Sequence, residues 1–137
     1  MPRFVLLRHQ CPAGYEKPSH WDFMLEWTEV LRTWELQALP PLWRAALEDG
    51  MSNSTGPAAR PVRASRLADH RRAYLDYEGP LSHNRGSVSC CDRGTYTMIG
   101  ETSARLEIQL AGNRLRGRVV LELEKDHQDH WRLWAVG

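Results

Sequence analysis

From Ser19 to Trp27 the chain alternates. Trp21, Phe23, Leu25 and Trp27 fall on one side of an extended segment, and His20, Asp22, Met24 and Glu26 on the other. The same period of two sets Leu106, Ile108 and Leu110 against Glu107 and Gln109. These patterns predict strands over Arg3–His9, Ser19–Trp27 and Val30–Gln37, the last pairing with its predecessor after a tight turn. Further strands are expected over Val62–His70 and over Gly86–Ile99, the latter read as strand, turn and strand bending at Asp92-Arg93-Gly94. A hairpin about Ala111-Gly112-Asn113 and a last strand over His130–Val136 follow. Pro40–Gly50 is the helix candidate, with proline at its start, alanines and leucines inside and glycine at its end. Residues 10–18 and 51–61 read as loops. Seven or eight short strands with one helix imply an antiparallel barrel or sandwich.

At 137 residues the chain is expected to be one domain, residues 1–137. Its apolar runs are far shorter than the roughly 20 residues that span a bilayer. The opening "MPRFVLLRHQ" becomes charged too soon for a signal peptide, so a cytoplasmic protein with no membrane partner is expected. Three cysteines, Cys11, Cys90 and Cys91, argue against a disulfide framework. Net charge is +1, which gives no global basic field. Sixteen of the 18 basic residues are nevertheless Arg, the residue whose fork grips phosphate with two hydrogen bonds.

Two clusters carry candidate chemistry. His20 and Asp22, at i and i+2, project from one strand face and can meet at one point, a donor pair suited to Mn²⁺, Zn²⁺ or Fe²⁺. His9, at the end of the preceding strand, is the natural third ligand. The bland alternative is a solvated His–Asp surface pair. In "LADHRRAYLDYEG" (Leu67–Gly79), His70 stands near arginines and near Tyr74 and Tyr77, groups that donate to phosphate oxygens or protonate a leaving oxygen. Here the alternative is a basic surface turn with packed tyrosines. "KDHQDH" (Lys125–His130) reads as a polar turn.

Taken in order, these segments resemble the 3′-phosphoesterase domain found at the start of bacterial ATP-dependent DNA ligase D and as stand-alone proteins. "RFVLLRH", "HWDFMLE" and "EVLRTW" are similar to its F-V-x-x-x-H, H-Y-D-F-R-L-E and G-V-L-x-S-W blocks. "ADHRRAYLDYEG" resembles E-D-H-P-x-x-Y-x-x-F-E-G, and "VSCCDRGTY" resembles V-x-x-W-D-x-G-T-Y. "LAGNRLRGRVVLEL" resembles the closing pattern. The resemblance implies a small antiparallel β-barrel and Mn²⁺-dependent removal of 3′-phosphates and 3′-terminal ribonucleosides, ahead of gap filling and ligation. It implies His9, His20 and Asp22 as metal ligands, with Zn²⁺ or another divalent ion as the alternative to Mn²⁺. It also implies His70 and Tyr74 on the phosphate. The expected partners are DNA or RNA-containing 3′ ends and a ligase or polymerase of end joining, with the chain a monomer.

Departures from the pattern bear on activity. The motif Arg two residues after the ligand Asp is Met24, the Glu before D-H is Ala68, and the turn after E-G is shortened to "PLSHNRG". Arg32 on the paired strand and Arg66 near His70 are the leading candidates to replace the missing phosphate grip, with Arg63, Arg71, Arg72 and Arg85 as further sources of charge. Two other functions stay open: a non-catalytic module binding nucleic-acid ends or a repair partner, and a phosphoesterase for a small phosphorylated molecule.

Overall fold

The computed structural model describes residues 1–48, 60–125 and 127–136. Its strands are β1 (Arg3–Gln10), β2 (His20–Trp27), β3 (Val30–Leu36), β4 (Val62–Arg71), β5 (Gly79–Pro80), β6 (Ser87–Thr102), β7 (Arg105–Gly112), β8 (Arg116–Leu123) and β9 (His130–Val136). A helix, α1 (Pro41–Leu47), follows β3, and one 3₁₀ turn, Arg72–Leu75, follows β4. The antiparallel order β1-β2-β3-β4-β9-β8-β7-β6 closes through a β6–β1 pairing, and β5 hangs on β6. The result is a barrel-like ring of eight strands, as the strand count implied.

Alternation fills the ring. Phe4, Leu6, Phe23, Leu25, Trp34, Leu36, Ile108, Leu121 and Leu133 belong to one buried core. Trp43 of α1 enters that core beside Phe23, with ring centroids 5.1 Å apart. The helix expected to reach Gly50 is described only to Leu47 and a turn at Glu48; residues 49–59, including most of the expected 51–61 loop, lie outside the described residues.

The outer face of β1, β2 and β3 is not wet. Val5, Leu7, Met24, Leu31, Leu75 and Val88 form a second, smaller buried cluster there, with Tyr74, Leu81 and Cys90 packed against it. Burial on both faces explains why Phe4–Leu7 is a continuous apolar run. The neighbours Cys90 and Cys91 divide between the two clusters, as opposite strand faces require.

The bend expected at Asp92-Arg93-Gly94 is corrected: β6 runs unbroken for 16 residues, pairing first with β1 and then with β7. A bulge opposite Leu6/Leu7 takes up the extra residue. Asp92 is buried and acts as a cap for another segment, its Oδ2 accepting the amides of Leu115 (2.7 Å) and Arg114 (3.0 Å). Gly94 is needed because a Cβ there would collide with the Ala111 carbonyl. Asp and Gly here imitate turn chemistry while serving a strand crossing.

Candidate metal and phosphate site

Three strands deliver the donors. His9 pairs with His20 across β1–β2, and Asp22 pairs with Leu7 on one side and with Glu35 on the other. Paired residues share a face, so His9, His20, Asp22 and Glu35 all stand on the outer side of the ring. His20 and Asp22 are buried, at 2% and 5% exposure. The histidine rings lie edge to face, 4.7 Å between centroids.

Hydrogen bonds fix which nitrogen each ring presents. His9 donates from Nε2 to the Arg85 carbonyl at 2.8 Å, and His20 donates from Nδ1 to the Pro18 carbonyl at 2.9 Å. A carbonyl only accepts, so these nitrogens carry the protons. The remaining nitrogens turn to the carboxylate: His9 Nδ1 is 3.8 Å from Asp22 Oδ2, and His20 Nε2 is 3.4 Å from Asp22 Oδ1. In neutral rings these are acceptors facing an acceptor, an arrangement that needs a shared proton or a shared cation. Asp22 Oδ1 is buried with no hydrogen-bond partner. Two ligands each about 2.1 Å from one ion at a tetrahedral angle stand about 3.4 Å apart, which is the separation of His20 Nε2 from Asp22 Oδ1, while the His9 pair at 3.8 Å is wider. An outer N–H anchored on a carbonyl is also how metal-bound histidines are held. The donor set fits a divalent ion.

Burial, the largest influence on His20, pushes its pKa down; the Asp22 carboxylate, the Pro18 carbonyl and the Glu35 charge outweigh it and hold the pKa above its ordinary value. The pocket therefore favours positive charge between these groups.

Glu35 and Cys11 extend the set and were missed by motif reading. His20, Asp22 and Glu35 bring one ligand atom each within 4.8 Å of one another, and so do His9, Cys11 and His20. Glu35 lies 3.5 Å from His20 Nε2 and is shared with Lys17, whose ammonium is 3.1 Å away. Cys11 is held by its amide on Ser19 Oγ at 3.0 Å. Burial pushes its thiol pKa up, and the charges of Asp22 and Glu35 add to that.

His70 and Tyr74 form a second group on the same outer face. His70 pairs with Leu31, and its Nδ1 donates to the Ala68 carbonyl at 2.9 Å, which leaves Nε2 for a ligand. The Tyr74 ring stands edge-on at 5.8 Å, with Tyr77 edge-on to Tyr74 at 6.1 Å. Apolar side chains stand between this group and Asp22. By register the Leu7–Asp22–Glu35 row and the Glu26–Leu31–His70 row are separated by Val5, Met24 and Thr33. The second apolar cluster fills that middle. The open space is instead a cavity of about 200 Å³ lined by Arg71, Tyr74, Tyr77, Leu81, Ser82 and Arg85 among others. Arg85 belongs to both regions, because its carbonyl orients His9.

Arg32 and Arg66 do not replace the motif Arg from where they stand. Arg32 pairs with core-facing Leu25, stacks on Trp27 and Trp34 (4.5 and 5.7 Å to the ring centroids) and reaches Glu101 at 3.3 Å. Arg66 pairs with core-facing Trp34 and donates to the Thr33 and Leu67 carbonyls and to Asp69. Both start from the ring's inner face, opposite to Asp22. Arg72 is bound to Glu26 at 2.6 Å, and Arg63 lies 3.9 Å from Glu124. The cations at the cavity are Arg71 and Arg85.

Among the described residues no helix is long and apolar enough to cross a membrane. No protein of curated function matches the chain. The DNA Ligase D 3′-phosphoesterase domain does match, over residues 9–122, a span running from the first histidine of the donor cluster through β8. The chain belongs to the DNA ligase D 3′-phosphoesterase domain family.

Proposed function

We propose that this chain is a divalent-metal-dependent phosphoesterase that removes a 3′-phosphate or a 3′-terminal ribonucleoside from nucleic-acid ends and leaves a 3′-OH. The observation that supports it best is Asp22 Oδ1, buried and unpartnered, with an imidazole nitrogen turned to it. His9, His20 and Asp22 would hold the ion, Mn²⁺ or alternatively Zn²⁺, with Glu35 and Cys11 at its margin. These residues would place an ion whose chemistry would be to neutralise phosphate charge and lower the pKa of a water. His70 Nε2 and the Tyr74 hydroxyl supply donors to phosphate oxygens, and the proton for a leaving oxygen comes from this pair. Arg71 and Arg85 supply the fixed positive charge that the motif Arg gives elsewhere in the family pattern. DNA or RNA-containing 3′ ends are the substrates, a ligase or polymerase of end joining is the partner, and the chain works as a monomer in the cytoplasm.

The test is a primer-template bearing a 3′-phosphate or one 3′-ribonucleotide, incubated with Mn²⁺, with Zn²⁺ and with chelator. Conversion to 3′-OH with metal, and none with chelator, is the expected result. One observation favours a second reading, a non-catalytic module for nucleic-acid ends: Met24 is 1% exposed inside an apolar cluster where the family pattern has Arg. Metal-independent binding without conversion would establish that reading.

A further inference from the structure

We propose a second divalent-metal site at the turn between β8 and β9, built from Glu124, His127 and His130 and suited to a borderline transition ion such as Zn²⁺. Each residue offers one ligand atom, and the three lie within 4.8 Å of one another. The His127 and His130 rings stack at 4.7 Å with 27° between planes, which brings both to one side of the turn. Nδ1 of His130 is buried and has no hydrogen-bond partner, so the protein itself leaves a ring nitrogen unused.

Backbone hydrogen bonds tie down the residues that carry these donors. The Glu124 amide donates to the His130 carbonyl at 2.8 Å, and the His127 amide to the Glu124 carbonyl at 3.3 Å. The Arg66 amide donates to the Asp129 carbonyl at 2.7 Å and ties the turn to β4. Competition for the carboxylate is weak: the Arg63 guanidinium stands 3.9 Å from Glu124 Oε2, too far for a firm hydrogen bond. Two imidazoles and one carboxylate with open positions match Zn²⁺ better than Mg²⁺ or Ca²⁺, which prefer all-oxygen shells. The site shares no residue with the His9–His20–Asp22 group. An ion there would cross-link the end of β8 to the start of β9.

The experiment is a calorimetric Zn²⁺ titration of the full chain carrying His20→Ala together with Asp22→Ala, which removes the histidine common to both donor groupings of the first site. One equivalent should still bind, and the His127 and His130 ring resonances should shift in step with it. Adding His127→Ala should weaken that equivalent at least tenfold, and Glu124→Gln should weaken it as well. His127 is exposed, so its variant keeps the fold, checked by circular dichroism. Ring resonances that stay put at one equivalent, or an unchanged affinity in the His127→Ala protein, would overturn the proposal.

Discussion

His9 donates its Nε2 hydrogen to the carbonyl of Arg85, 2.8 Å away, while the Arg85 side chain lines the neighbouring cavity. One residue thus aims a candidate ligand with its backbone and offers charge with its side chain. The two roles separate experimentally, because Arg85→Ala keeps the carbonyl. Arg85→Ala should lower kcat/KM for a 3′-phosphate primer by about tenfold to a hundredfold, the loss of one charge-assisted hydrogen bond of ~1.5–3 kcal/mol. Metal affinity, measured by calorimetry, should stay within about twofold. A fall in metal affinity with unchanged kinetics would place Arg85 in support of His9 alone.

Asp22→Asn should remove metal binding at the His9–His20–Asp22 group and reduce end processing by at least about a hundredfold, the scale on which oxyanion or metal machinery acts. The metal-free protein should not lose stability. Asn keeps the size of the side chain at this buried position, and its amide can donate to the His20 nitrogen that faces Oδ1 in the neutral ring. Thermal melts of both proteins in chelator check this: a drop in Tm of more than a few degrees would mean that the carboxylate is structural.

Glu35→Gln should weaken metal binding by about tenfold, the lower end of what groups bordering a metal shell contribute. Its charge helps hold His20 above its ordinary pKa, and Lys17 is its competitor at 3.1 Å. Lys17→Met should therefore move affinity the other way. Equal affinities in all three proteins would leave Glu35 as a partner for Lys17 only.

The position of Glu35 beside Asp22 follows from strand register and not from any motif. A two-residue turn between Trp27 and Val30 fixes the β2–β3 register, and counting back along both strands sets Glu35 against Asp22. The same count sets Arg32 against Leu25, on the wrong face to serve Asp22. Arg66 was not legible in that way. It lies four residues from His70, an even spacing that reads as one face. The register shift between Leu31 and Thr33 inserts a residue and turns them to opposite faces. The apolar cover on the outer face was hidden for a different reason: Leu75 and Leu81 lie over its middle from segments whose path no strand periodicity records. The grouping of His9, His20 and Asp22 was legible because it depends only on alternation within β2 and on the β1–β2 pairing.

Stability should fall on acidification through Glu26. Its Oε1 accepts the Arg3 amide at 3.0 Å, and its Oε2 accepts two bonds from Arg72, at 3.0 and 2.6 Å. Burial, the largest influence, would raise this carboxyl; the Arg3 and Arg72 bonds outweigh it and hold its pKa below the ordinary 4.5. A carboxyl with a depressed folded pKa stabilises above its ordinary value, and that stabilisation is lost as pH falls through the folded pKa. Glu26→Gln should therefore cost about 1 kcal/mol at pH 7 and should flatten the acid limb below about pH 4.5. Urea melts from pH 7 to pH 3 measure both. Parallel acid limbs in the two proteins would assign the acid sensitivity to other carboxylates.

Met24→Arg tests how the family chemistry survives the loss of its motif Arg. Met24 sits two residues from Asp22 on the same face, between Val5 and Thr33, and is 1% exposed in the second apolar cluster. A guanidinium placed there loses solvent and crowds Leu31 and Leu75, which should cost about 1–3 kcal/mol. Asp22 is within reach as its partner, so the protein should still fold. If Arg71 and Arg85 already carry the phosphate charge, a third cation adds little, and end processing should change by less than about threefold. In the Arg85→Ala background the charge is missing, and Met24→Arg should restore about tenfold, ~1.4 kcal/mol of transition-state stabilisation. The double-mutant cycle isolates that coupling, because both residues answer to one phosphate. Equal effects of Met24→Arg in the two backgrounds would mean that Arg85 does not touch the reacting group. Processing absent from the parent chain and from every variant, with binding to 3′ ends retained, would leave the fold as a reader of nucleic-acid ends whose motif Arg gave way to core packing.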